Sequence, residues 1–206
     1  MPPYPVSLYS MASSTQRATS SLPSALEWKH DVFLSFRGAD TRLGFTAHLH
    51  DKLKEQGITR IFLDDDELQI GRPISDLFLE IAKSRLAIVV ISPDYASSKW
   101  CLNELVKILE CMEERGAVIP VFYSVEPSAV GDRSGIFGNG FTKLEQEYKD
   151  DKEMVDGWKA ALKIVAKIKG HTSNNKLVFL LFSLNSCYVS IIRLSFARVQ
   201  FNSAKS

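Results

Sequence analysis

From about Trp28 to Gly170, short apolar runs alternate with longer stretches of helical spacing. Asp31–Phe36 reads as a strand, and Arg42–Gln56 carries Phe45, Leu49 and Leu53 at helical intervals with Gly57 as its stop. Arg60–Leu63 is a second short strand. The acidic loop Asp64–Gly71 follows, then a helix from Pro73, a favourable first helical position, to about Lys83. Leu86–Ser92 is almost continuously apolar, as a strand covered on both faces should be. The next helix, Ser98–Arg115, places Cys101, Leu105, Ile108, Leu109 and Met112 on one stripe. Ala117–Tyr123 is the fourth strand, with Pro127, Gly131 and Gly135 in the loop after it. Helices over about 136–148 and 152–169 complete the regular part. This rhythm predicts an α/β fold, a parallel sheet with helices on both faces, because each parallel crossover needs a helix and is right-handed. An α+β domain is the runner-up.

Composition narrows the class. At 206 residues and 45% apolar, the chain buries one core rather than two. A net charge of +1 argues against a dedicated nucleic-acid or membrane-surface protein. Cys101, Cys111 and Cys187 have no ligand-like spacing and read as idle thiols in a reducing compartment, so no metal is expected. Residues 1–27 are expected to be a disordered leader; they are rich in Ser, Pro and Thr without a secretory apolar run, and Met11 is an alternative start to Met1. Beyond Gly170 the apolar runs Lys176–Phe182 and Cys187–Leu194 are split by Ser183–Ser186. They fall short of the roughly 20 residues of a membrane span, so 171–206 reads as an atypical tail, either a last strand with an irregular end or a sequence appended by processing. A cytosolic protein is the default, with the nucleus open to it.

Two stretches carry the candidate chemistry: Asp31–Arg42, a strand running into a charged turn, and Ser97–Leu105, a helix start. Trp100 and Glu104 stand four residues apart and share a helix face, with Glu104 off the core stripe and so expected to reach a ligand; a surface carboxylate beside a half-buried Trp is the plainer alternative. Arg37 and Arg42 suit a pyrophosphate. Asp40 reads equally as a helix N-cap or a ligand contact, and Ser98 likewise. Gly38 serves a tight turn with close backbone approach. There is no GxGxxG, so no dehydrogenase fingerprint.

Together with Asp64-Asp65, Leu68, Gly71 and Ile74, Ile119–Tyr123, Pro127-Ser128 and Trp158 with Ala161-Leu162, these stretches resemble the plant TIR domain, the N-terminal signalling module of TIR-type nucleotide-binding immune receptors. The resemblance covers Trp28 to about Gly170. It implies a flavodoxin-like, doubly wound sheet of about five strands in the order 2-1-3-4-5, with a ligand crevice between the first and third strands. It also implies an NAD+ glycohydrolase that works as an oligomer and promotes defence and cell death. Glu104 falls on the family's catalytic glutamate and Trp100 on its stacking tryptophan. The substrate is NAD+ or NADP+, with no further cofactor, and the partners are copies of itself or other TIR receptors. Breaking the nicotinamide–ribose bond develops positive charge on the ribose, which one carboxylate, with an ordinary pKa near ~4.3, can stabilise.

The resemblance further gives the loop before Gly71 a part in a neighbour's site, and Ala47-His48 an interface on the outer face of the first helix. Departures from the family pattern are Ile70 where relatives carry a base before the Gly, Ala47 where Ser is common, Gly131 where Arg is common, and the tail in place of an amphipathic acidic helix. Those departures keep a second reading in play, a catalytically silent TIR adaptor or decoy that binds full-length receptors. A phospho-acceptor receiver, a third possibility, would need an Asp where Ser92-Pro93 stands.

Overall fold

The computed structural model describes residues 28–65, 73–169 and 171–173. The expected leader, Gly71 with most of its loop, and the tail from 174 onward lie outside the described residues. Five strands, β1 (His30–Phe36), β2 (Ile61–Asp65), β3 (Ser84–Ile91), β4 (Val118–Tyr123) and β5 (His171–Ser173), form one parallel sheet in the order β2-β1-β3-β4-β5. The doubly wound α/β expectation and its strand order hold. β5 pairs with the end of β4, Val121 opposite His171.

Between the strands run α1 (Gly38–Thr41), a π turn (Arg42–Thr46), α2 (Ala47–Glu55), α3 (Ile74–Ala82), a 3-10 turn (Tyr95–Ser97), α4 (Lys99–Met112), α5 (Pro127–Asp132), α6 (Gly135–Glu147) and α7 (Lys152–Val165). The helix expected from Arg42 therefore begins at Gly38 and changes pitch on the way. Inside it the Thr46 hydroxyl bonds that of Thr41 at 2.8 Å, a step of five residues that matches the repeat of a π turn. Pro73 sits just before α3 in extended backbone rather than as its first helical residue. The loop expected after β4 contains the short helix α5, opened by Pro127, whose fixed φ suits a first helical position. Gly131 has a packing reason: a Cβ there would come within 3.1 Å of Ala166 Cβ, just past α7.

The core is continuous along β1, β3 and β4, where Val32–Leu34, Leu86–Ile91 and Val121–Phe122 are buried. Central parallel strands covered on both faces read this way. α4 packs against both α3 and α7. Trp158 of α7 is fully buried and donates its indole N–H to Asn103 Oδ1 of α4 at 2.8 Å, giving a large buried ring a partner for its polar edge.

Candidate active site

In a sheet of this order the chain leaves β1 and β3 in opposite senses, and the gap between their carboxyl ends is where ligands settle. The residues there are polar where the strands are otherwise apolar. Ser35 of β1 stands in register with Asp64 of β2 and Val89 of β3, and partners in a parallel ladder share a face. That face is covered by α4. Ser35 Oγ hydrogen-bonds Glu104 Oε2 at 2.9 Å, and the Trp100 indole N–H donates to Asp64 Oδ2 at 2.7 Å. One turn of α4 is thus fastened to two neighbouring strands through two polar contacts.

The i, i+4 pair on α4 is present, but Glu104 is not off the core. It is 0% exposed and buried together with Cys101, Leu102, Leu105 and Ile108. A helix flanked on both sides, by α3 and α7, buries an arc wider than a single stripe. Trp100 is half-buried against the core, so the expected ring surface is partly open. Asp64, expected at the start of a loop, belongs to β2 and is fully buried.

Tyr95, from the 3-10 turn after β3, completes the group. Its hydroxyl lies 3.1 Å from Ser35 Oγ and 3.1 Å from the Cys101 carbonyl oxygen. Burial pushes this phenol well above its usual range, and the acidic groups of Cys101, Glu104 and Asp64 add to the rise, partly offset by the Ser35 hydrogen bond.

The two stretches meet through Asp40. It takes an ion pair from Arg37 and a hydrogen bond from Ser92 at the end of β3. Its N-cap reading is replaced: the cap position of α1 is Arg37, without a side-chain cap bond, and Asp40 instead ties α1 to Ser92, the residue that follows β3. Ser98 resolves toward capping, since its hydroxyl accepts the Cys101 backbone N–H at 3.2 Å at the start of α4. Gly38 is buried at the first residue of α1, and Arg42 is half-buried at the start of the π turn. Ala47 is exposed and His48 half-buried at the start of α2. Ser35, Tyr95, Asp64 and Ser92 are the site residues that sequence reasoning missed. A lone Ser between Leu34 and Phe36, and an Asp after Leu63, were the available signals.

A protein-family model described as "TIR domain" matches residues 29–179. The chain belongs to the TIR domain family. This TIR domain is 46% identical over 157 residues to TMV resistance protein N of Nicotiana glutinosa, an alignment covering 75% of the chain and 14% of that protein. It is 41% identical over 160 residues to Protein PHLOEM PROTEIN 2-LIKE A8 of Arabidopsis thaliana, covering 77% of the chain and 43% of that protein. Both relatives are far longer than the stretch they share with it. Among solved structures, the TIR domains of the activated Roq1 resistosome, which directly recognises the pathogen effector XopQ, match with a TM-score of 0.64 and 49% identity. That match covers 72% of this chain and 90% of the Roq1 chain. No helix among the described residues is long and apolar enough to cross a membrane.

Proposed function

We propose that this TIR domain acts in plant immune signalling by cleaving NAD+ or NADP+, once copies of it or other TIR receptors have assembled. The reaction takes NAD+ and water to nicotinamide, ADP-ribose and a proton. Nicotinamide leaves neutral and needs no acid, so the demand on the protein is for negative charge beside the ribose and for a flat surface to orient a ring. Glu104 supplies the first and Trp100 the second. Arg37 and Arg42 stand by for the pyrophosphate, with Gly38 and Ser98 lining the approach and Gly71 contributed from the loop. The observation that carries this reading is the placement of Trp100 and Glu104 on one turn of α4, bonded to β2 and β1 beside the β1/β3 switch point.

A second reading, a silent TIR module that binds full-length receptors, draws on one fact: Glu104 has no exposed surface in the single chain. Consumption of NAD+ across a protein concentration series with a crowding agent decides between them. Turnover should rise steeply with concentration and fall by roughly a hundredfold or more in Glu104→Ala. A folded, assembled protein without turnover at any concentration leaves the binding module as the account.

A further inference from the structure

We propose that the segment 187–201 of this chain docks as a helix in the groove between α4 and α7, making the tail a basic cover over that helix pair.

Two adjoining cavities of about 530 and 320 Å³ share Val106, Glu110 and Gly157, and so form one trough along α4 and α7. Its floor is apolar: Phe78, Val106, Met154 and Ile164 are half-buried there. Its borders are acidic, with Glu110, Glu113 and Glu114 on the α4 side and Asp151 and Glu153 at the start of α7. Among the described lining residues Lys107 is the one cation, and it bonds Glu110 at 3.0 Å. Gly157 marks the waist, where an added Cβ would meet nothing within 4 Å. From residue 151 to residue 164 this stretch extends about 20 Å. An apolar trough of that length, walled by helices and edged with carboxylates, suits an amphipathic helix with basic flanks.

The chain's own sequence holds that pattern. After Ser173 it carries Lys176, Arg193, Arg198 and Lys205 and no Asp or Glu. At helical spacing Tyr188, Val189, Ile191, Ile192, Phe196 and Val199 share one face, and Arg193 and Arg198 fall at its two edges. Ser190, Leu194 and Ala197 lie opposite. An arginine on each edge matches carboxylates on both borders of the trough. As a helix, 187–201 is about 22 Å long, close to the trough itself. The chain also leaves the sheet at the right end. α7 returns against the strand direction before β5 begins, so residues 151–154 lie toward the carboxyl end of the sheet, where β5 finishes at Ser173. Residues 174–186 then span up to about 40 Å, ample for the step from sheet to trough. Such a tether gives a roughly millimolar effective concentration, which favours this segment over the same one on a second copy.

The test is hydrogen–deuterium exchange of the full chain, read by mass spectrometry, with a synthetic 187–201 peptide as the free reference. Amides of 188–199 should exchange at least roughly tenfold more slowly in the chain than in the peptide. Gly157→Trp fills the waist of the trough, and the open space at that Cβ lets α7 accept it. In that variant the protection of 188–199 should vanish while α7 keeps its own. Exchange at the free-peptide rate in the wild-type chain overturns the proposal, and this arm stands even if Gly157→Trp fails to fold. Unchanged protection in a folded Gly157→Trp overturns it by placing the segment elsewhere. Protection that falls on dilution, alongside a dimer in sedimentation, overturns it in favour of a second copy as the occupant.

Discussion

At the scale of single residues, the molecule concentrates polar groups where the strands end and matches each to a partner. Glu80 of α3 shows the same economy at the opposite end of the sheet. Its Oε2 takes Lys29 Nζ at 2.6 Å and His30 Nε2 at 2.5 Å. Burial raises this carboxyl, but the hydrogen bonds from Lys29 and His30 and their charges outweigh it and hold it below its ordinary 4.5. A carboxyl lowered on folding stabilises fully above its unfolded value and loses that contribution as pH falls through the folded one. Urea denaturation should therefore find Glu80→Gln less stable by about 1 kcal/mol at neutral pH, a modest figure because Lys29 is half exposed. The deficit should shrink as the pH is taken below 4.5. Residue identity made Trp100, Glu104, Arg37 and Asp40 legible in the sequence. Ser35 and Asp64 were not, because their meaning comes from lying side by side across two strands about 30 residues apart.

At the scale of elements, α4 carries most of the site and shows what helical periodicity can and cannot tell. The spacing located the helix and its apolar stripe. It could not report that α3 and α7 would flank the helix and draw Glu104 into the buried arc. The cap is a testable part of this element: Ser98→Ala removes the acceptor for the Cys101 N–H and should lower stability by about 1 kcal/mol in chemical denaturation. The α5–α6 junction is less forgiving. A Cβ on Gly138 would lie 2.1 Å from the Arg133 carbonyl oxygen, and backbone there cannot step aside as a side-chain tip does. Gly138→Ala should destabilise by roughly 2–3 kcal/mol and show a lowered Tm. α5 escaped the sequence reading because six residues are too few for periodicity to register, and Pro127 suits a loop as well as a helix start.

At the scale of the whole molecule, alternation of apolar runs and helical spacing was enough for a parallel sheet, since parallel neighbours require crossovers. The strand order came from resemblance, because local pattern does not say which strand lies beside which. Among the described residues the sheet has a graded interior: β1 and β3 are bonded on both sides and buried, whereas β2 pairs only with β1 and β5 only with β4. Native-state hydrogen exchange should find the slowest amides in Val32–Leu34 and Ala87–Val90 and markedly faster exchange in β2 and β5. Uniform protection across all five strands would show that the edges are held by something other than the sheet.

The π turn has a consequence for descent. It inserts one residue more than an α-helix would hold between the charged loop at Arg37–Asp40 and the Ala47–His48 face, and Leu43 within it is 97% exposed. Losing that single codon would let the helix run on as ordinary α while turning everything after it by about 100° about its axis. Leu49 and Leu53, the buried residues of α2, would be turned out of the core with it, so a lineage that dropped the extra residue would lose the packing of the helix, and the π turn should persist by descent.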